Sequence, residues 1–221
     1  MEKRGRVVCN LIDHDIYQPP QLTRVRPIGR VESGSTTSSW LIEEKENDGK
    51  MKLFVEVKGQ CSPYFYLKDN FFVILENKCQ ADGVIWEYVN NTCCRLHLFE
   101  LKKKISISNW NKARTQYHGT LLRCQIVADL LGVKILPCIH LYTVYHQEDN
   151  IDPAMTRIPT NWLPSAAEQE WEQNCCDLNP LGWPPNWGQL TFHHHKVHLN
   201  KLNSNNIPEG TYDLQSSCIN P

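Results

Sequence analysis

Alternating apolar and polar positions dominate the first two-thirds of the chain and predict β-strands. The stretches "SWLIEE" and "MKLFVEVKG" alternate on either side of a charged run that holds Asp48-Gly49. An Asp-Gly pair between two such runs is a strong signal for a tight hairpin, because both residues tolerate positive φ. The runs "FFVILEN", "VIWEYVN" and "CCRLHLFELKK" follow at short spacings. The pattern therefore predicts a mostly antiparallel sheet within residues 36 to 103.

The hydrophobic period then changes and predicts one main helix over about residues 119 to 131. The positions that recur near helical spacing are Leu121, Leu122, Gln125, Ile126, Asp129 and Leu130. Gly132 stands where a helix-ending glycine belongs. The segment "KILPCIHLYTVYH" that follows predicts a final strand, which Pro137 interrupts or opens.

The composition shifts after His146 and predicts a different kind of structure. Residues 150 to 221 contain most of the prolines and four of the seven tryptophans. The short helical pattern "SAAEQEWEQNC" begins at Ser165, with Glu168 in the register of a capping box. We therefore predict an α+β sheet domain over residues 1 to 148, followed by a Trp/Pro-rich extended arm with one short helix over residues 149 to 221.

Charge and cysteine content narrow the partners and the compartment. The 23 basic and 24 acidic side chains nearly cancel, so any nucleic-acid binding must come from a local patch. The ten cysteines form no regular framework, and we interpret most of them as small buried side chains in a reducing compartment. No apolar run reaches the roughly 18 residues of a membrane span. The protein is expected to be intracellular, either nuclear or cytoplasmic, without a membrane partner.

One candidate chemistry is that of a Mg²⁺-dependent nuclease. In one large nuclease class, an aspartate on one strand and a Glu-x-Lys on its neighbour point the same way, because residues i and i+2 share one face of a strand. Asp48, Glu56 and Lys58 fit that spacing. The carboxylates would hold Mg²⁺ and the lysine would steady the attacking water. The competing interpretation, which we favour, is an Asp-Gly turn beside a solvent-facing strand, with no catalytic residue.

A zinc site is the candidate for a bound cofactor, and the default expectation is that none is bound. Cys175 and Cys176 precede His194 and His198 at intervals near those of zinc fingers, with His193 and His195 as the alternative pair. Adjacent cysteines lack the usual gap of two to four residues between zinc ligands. The stretch "TFHHHKVH" is equally typical of a half-exposed strand.

Basic residues around an aromatic ring predict a nucleic-acid contact. The segment "LKKKISISNWNKART" supplies cations that would contact phosphates around a tryptophan that would stack on a base. The predicted contact residues are Lys102, Lys103, Lys104, Trp110, Lys112 and Arg114. The competing interpretation is a solvated loop between a strand and a helix.

The tryptophans of the arm predict an alternative partner, a protein. Trp162, Trp171, Trp183 and Trp187 form a large aromatic group in a segment with little regular pattern. Exposed aromatic side chains of this kind are typical anchors of protein interfaces. The competing interpretation is that the arm wraps around its own domain.

Several segments in order along residues 6 to 146 resemble the N-terminal domain of family-B DNA polymerases. They are "LTRVRPIGRVESG", "CSPYFYLKD" and "YHGTLLRCQIVADLLGVKILPCIHLYTV". The matching residues are Pro63, Tyr64, Phe65, Tyr66, Tyr117, Leu122, Asp129, Pro137, Cys138 and Leu141. The resemblance implies a ferredoxin-like, RNA-recognition-like fold that lies near a template strand, with Tyr64 to Tyr66 in the core. It supplies no catalytic residue, and the family's "YGDTDS" metal site does not occur in the sequence.

These observations together predict a non-catalytic module that binds nucleic acid, including single-stranded DNA, or a replication partner. The alternative is a small accessory or adaptor protein, such as viruses encode, that binds a partner protein through the Trp/Pro-rich arm. The third hypothesis is the Mg²⁺-dependent nuclease.

Overall fold

The fold consists of strands and helices arranged in two sheets. The computed structural model describes residues 25–27, 37–45, 49–58, 61–63, 79–90, 92–148, 166–176, 178 and 190–214. In chain order its elements are β1 (Val25–Pro27), β2 (Thr37–Glu44), β3 (Met51–Lys58), β4 (Cys61–Pro63), β5 (Gly83–Asn90), β6 (Cys93–Ile105), α1 (Ile107–Leu131), β7 (Lys134–Glu148), α2 (Ala166–Glu172), β8 (Thr191–His198) and β9 (Glu209–Leu214).

Each sheet mixes parallel and antiparallel pairs. One sheet has four strands in the order β1-β2-β3-β9, and the other has five in the order β4-β5-β6-β7-β8. The pairs β3 with β9, β6 with β7, and β7 with β8 are parallel. Helix α1 connects β6 to β7, which is the crossover that a parallel pair requires.

The α+β class is confirmed, whereas the sheet differs from the single, mostly antiparallel one that the sequence pattern predicts. The hairpin at Asp48-Gly49 is confirmed in its strands, because β2 and β3 pair antiparallel from Glu44 opposite Met51. The parallel pairs arise from distant segments that local alternation does not reveal. Two of them involve β8 and β9, which belong to the predicted arm and join the sheets beside β7 and β3. A ferredoxin-like order of elements is not confirmed, and Tyr64, Phe65 and Tyr66 lie outside the described residues.

Helix α1 begins earlier than predicted and ends where predicted. Ser106 caps its start, with its Oγ accepting a bond from Asn109 N at 3.3 Å. The first half of the helix has a polar sequence, but Trp110, Ala113 and Tyr117 form a buried stripe. Gly132 ends the helix in the left-handed conformation at φ 63°, which glycine adopts without strain. In the described part of the chain, no helix is both long enough and apolar enough to cross a bilayer.

The five-stranded sheet is covered on both faces and forms the middle layer. On β6, Leu96 and Leu98 pack toward α1, whereas Phe99 and Leu101 pack toward the four-stranded sheet. Burial on both faces explains why this strand carries apolar side chains toward each side of the sheet. Polar side chains within it are therefore costly and call for a specific reason.

We expect Trp110→Ala to lower the free energy of unfolding by about 3–5 kcal/mol. The Trp110 ring is fully buried, with its centroid 5.4 Å from that of Trp171, so truncation would leave a cavity between α1 and α2. Urea unfolding at equilibrium measures the loss. Lys112→Ala, at an exposed site of the same helix, should change stability by no more than about 0.5 kcal/mol. Equal stabilities of the two variants would contradict this packing.

Candidate active site

Two buried carboxyl groups lie side by side where β5 begins. Gly83 of β5 pairs with Phe99 of β6 in the antiparallel ladder. Asp82 precedes Gly83 and Glu100 follows Phe99, so the register brings the two acids next to each other. Both side chains are 0% exposed. Acids are almost never fully buried unless they are paired, which marks this position as unusual.

The surroundings of Asp82 favour its protonated form. Burial raises the pKa of Asp82 well above its usual value, and the neighbouring charge of Glu100 and a hydrogen bond with Glu44 raise it further. Two carboxyl groups that share a hydrogen bond hold a proton between them. The backbone N–H of Leu101 donates to Asp82 Oδ2 at 2.7 Å and fixes the direction of the carboxyl group.

Lys102 supplies the cation beside the acids. It stands two residues after Glu100 on β6, so both side chains share one face of the strand, and its ammonium forms an ion pair with Glu100. Burial alone lowers the pKa of Lys102, but the charges of Glu100, Asp82 and Glu44 outweigh it and raise the pKa above its usual value. Lys102 therefore remains charged at neutral pH.

A cleft of about 410 Å³ adjoins this acid–lysine group. It is lined by Glu44, Gly49, Leu101, Lys102, Lys103, Lys104, Asn109, Lys112 and Gln147. Four of the six predicted nucleic-acid contacts thus meet at one site, because the end of β6 and the first turns of α1 lie beside each other. Lys103, Lys104 and Lys112 are exposed there and present positive charge to any anion that enters.

The other two predicted nucleic-acid contacts are engaged elsewhere. Trp110 is fully buried, and a ring enclosed in the core cannot stack on a base in this conformation. Arg114 forms an ion pair with Glu170 of α2, with Nε 3.0 Å from Oε2. The aromatic ring in the basic segment is thus explained by packing.

Of the four tryptophans predicted to bind a partner, Trp171 lies within the described residues. Trp171 is 1% exposed, and its Nε1 donates to Glu148 Oε1 at 2.7 Å. It packs against its own domain in this conformation and is not available as an anchor for a partner. Trp162, Trp183 and Trp187 lie outside the described residues.

The Glu-x-Lys that the sequence analysis selected lies on the other sheet. Glu56 is exposed on β3, Lys58 ends that strand, and Asp48 lies outside the described residues. The same pattern recurs at Glu100-Leu101-Lys102, on β6. The sequence does carry a signal for this site. The segment "CQADG" leads into one strand of a predicted hairpin and "FELKK" lies in the other, so an aspartate is expected beside Glu100.

Of the predicted zinc ligands, Cys175 and Cys176 follow α2, and His194 and His198 lie on β8. Cys176 is buried in the core beneath α1, and His194 Nε2 lies 2.9 Å from Thr143 Oγ1. His198 is exposed, and its Nε2 donates to the backbone oxygen of His146 at 2.9 Å. Within the described ranges, no three His, Cys, Asp or Glu side chains are arranged to hold a metal ion. Mg²⁺ needs fewer protein ligands than zinc, since one or two carboxylates with water and substrate oxygens suffice.

A second polar group, the histidine row, crosses β6, β7 and β8 on the face toward the four-stranded sheet. His97, His140 and His193 pair in register across the three strands, and the ring centroids of His97 and His140 are 5.0 Å apart. His140 Nδ1 lies 3.1 Å from Nε2 of His195. Burial lowers the pKa of His140 to about 3, with neighbouring histidines contributing. Buried His140 is therefore neutral in the folded protein at pH 7.

Glu87 and Arg95 close one end of the histidine row. Glu87 Oε2 lies 2.6 Å from Arg95 Nη1 and 3.1 Å from His97 Nε2. Burial alone raises the pKa of Glu87, but these hydrogen bonds outweigh it and lower the pKa. Burial lowers the pKa of His97 despite its bond to Glu87. These side chains satisfy one another's hydrogen bonds inside the interface between the sheets.

Searches of protein-family models, of curated proteins and of solved structures return no match to this chain. The function of the chain is therefore inferred from the geometry of its own residues.

We expect stability to fall with acid between about pH 6.5 and 4, because the buried histidines bind fewer protons when folded than when unfolded. Their lowered folded pKa means that their contribution is complete above the unfolded value of 6.5 and is lost as pH falls toward 3. Urea midpoints measured across that range test this. His140→Phe keeps a stacking ring without a titrating nitrogen and should flatten the dependence, by up to about 1.4 kcal/mol per pH unit. An unchanged slope in this variant would contradict the assignment.

Proposed function

We propose that the chain is a metal-dependent phosphodiesterase, with Asp82 and Glu100 as its metal-binding carboxylates and Lys102 as the cation beside them. Within that class, the lysine-lined cleft favours a polyanionic substrate, so we propose a nuclease. The observation that carries the proposal is the pair of fully buried acids, Asp82 just before β5 and Glu100 on β6, with the lysine of a Glu-x-Lys beside them. A buried acid with a strongly perturbed pKa next to a cleft, as Asp82 is here, is typical of functional sites.

The donor set fits a hard divalent cation. Asp82 and Glu100 offer the carboxylate oxygens of two buried acids beside the cleft. Such oxygens are the ligands of Mg²⁺. A cation between them would favour the charged form of Asp82 against the protonated form that burial favours, so binding should release a proton. When bound, Mg²⁺ supplies Lewis-acid polarisation of a phosphoryl oxygen and a more acidic bound water.

The lysines of the cleft would act on the phosphate groups of the substrate. Lys102 stays protonated because the acids raise its pKa, so it acts as a fixed positive charge toward the developing charge on phosphate, and not as a general base. Lys103, Lys104 and Lys112 hold neighbouring phosphates through charge. Their exposure allows a long strand to pass over the cleft.

A second candidate function is non-catalytic binding of nucleic acid in the same cleft, as the basic segment predicts. The three exposed lysines support it as well. The two candidates differ in the role of the buried acids, which a binding module does not need. Replication partners and the likeness to family-B polymerases remain predictions.

We expect the purified protein to cut DNA or RNA in Mg²⁺ or Mn²⁺ and to be inert in a chelator. Circular single-stranded DNA, linear duplex DNA and RNA serve as substrates. Asp82→Asn, Glu100→Gln and Lys102→Met should each slow cleavage by about 100-fold or more, since each removes a preorganised charge. Glu56→Gln and Lys58→Ala, at the other Glu-x-Lys, should cut at the rate of the wild type.

Two results would count against the nuclease. Cleavage by the wild type that survives Asp82→Asn and Glu100→Gln would assign the activity to another site or to a contaminant. Salt-sensitive binding of all three substrates without cleavage in either metal would favour the non-catalytic candidate.

A further inference from the structure

Three side chains of α1 hold the backbone that leads into Asp82. Gln116, Thr120 and Arg123 are spaced by four and three residues, so they share one face of the helix. That face lies against residues 79 to 82, which are within the described part of the chain and precede β5. The bonds are from Gln116 Nε2 to Gln80 O at 3.1 Å, from Ala81 N to Thr120 Oγ1 at 2.7 Å, and from Arg123 Nη1 to Cys79 O at 2.8 Å.

The bond of Thr120 is buried, whereas those of Gln116 to Gln80 and of Arg123 to Cys79 are partly buried. Thr120 is 2% exposed and Arg123 is 1% exposed. Arg123 Nη1 also donates to Gly119 O at 2.8 Å, which anchors the guanidinium on its own helix. Water cannot easily replace such partners, so removal of one of them costs more than at the surface.

Asp82 is therefore held both at its backbone and at its carboxyl group. Its backbone follows directly after the three residues held by α1, and its carboxyl group accepts from the Leu101 N–H of β6. Helix and strand together determine where the carboxylate stands relative to Glu100. Thr120 is the central contact, because it holds the residue immediately before Asp82.

We propose that Gln116, Thr120 and Arg123 are positioning residues that set Asp82 opposite Glu100 for cation binding, an inference that rests on the proposed function. They touch neither the cation nor the substrate and act through the backbone. Partners of this kind that orient metal ligands commonly change metal affinity by 10-fold or more when they are lost. Small displacements of a reacting group also slow turnover strongly.

The test compares two substitutions at Thr120 in the full chain. Thr120→Val keeps the shape but removes the hydroxyl that accepts from Ala81, whereas Thr120→Ser keeps it. We measure Mn²⁺ affinity by calorimetry, and then kcat and KM for DNA cleavage at saturating Mn²⁺. Thr120→Val should weaken Mn²⁺ binding by about 10-fold and lower kcat, with KM for DNA unchanged. Thr120→Ser should restore both quantities.

Thr115→Val is the matched control on the same helix. Thr115 is exposed, and its hydroxyl donates to Asn111 O within the helix. It should bind Mn²⁺ and cleave DNA like the wild type. Circular dichroism and thermal unfolding show whether each variant is folded. If Thr120→Val does not fold, Gln116→Met replaces it. The positioning role requires that this variant weakens Mn²⁺ binding as well.

The outcomes separate this inference from the function on which it rests. If the wild type binds Mn²⁺ and Asp82→Asn does not, but folded Thr120→Val binds with wild-type affinity, the positioning role is overturned and the metal site stands. Wild-type affinity in Gln116→Met, when Thr120→Val fails to fold, overturns it likewise. If the wild type binds no Mn²⁺, the proposed function and the positioning role fall together.

Discussion

The close burial of two acids is the constraint on which the rest of the site depends. A buried carboxylate beside another is unfavourable, and Asp82 responds with a raised pKa. Lys102 compensates part of the negative charge through its ion pair with Glu100. Groups that lose hydration in this way reduce stability unless geometry and partners repay it. A divalent cation would complete the compensation, which is the physical reason for assigning metal binding here and not at exposed Glu56.

The unit β5-β6-α1-β7 builds this arrangement. The antiparallel ladder of β5 and β6 brings Asp82 beside Glu100, and α1 then returns the chain to β7. The first turns of α1 contribute Asn109 and Lys112 to the cleft, and its middle holds the segment before Asp82. One helix therefore covers the sheet, lines the cleft and orients an acid, so its packing and the site are coupled.

Local signals in the sequence predicted part of this fold. The β2–β3 hairpin and the end of α1 depend on an Asp-Gly turn and on Gly132, which act through nearby residues. The sequence pattern does not predict the start of α1, because the polar residues there hide a buried stripe that only the sheet beneath it explains. The parallel positions of β8 and β9 depend on pairing across long stretches of chain, which alternation does not encode.

The candidate site was predicted less well than the fold, for a similar reason. The lysines of the cleft were found because they are close in sequence. Two Glu-x-Lys patterns occur on strands, at Glu56 and at Glu100, and periodicity does not distinguish them. The difference is burial: Glu100 lies on a strand that pairs with β7 and is covered by α1, whereas Glu56 is exposed. Trp110 and Trp171 lie in polar segments, which favours an exposed position, but both side chains fill the core.

A crystal structure of the protein with Mn²⁺, with data collected for anomalous scattering, tests the metal site most directly. We expect an anomalous peak within about 2.5 Å of carboxylate oxygens of both Asp82 and Glu100, with the Lys102 ammonium beside them. Crystals that contain Mn²⁺ but show no peak between these two acids, with Asp82 still hydrogen-bonded to Glu44, would contradict it.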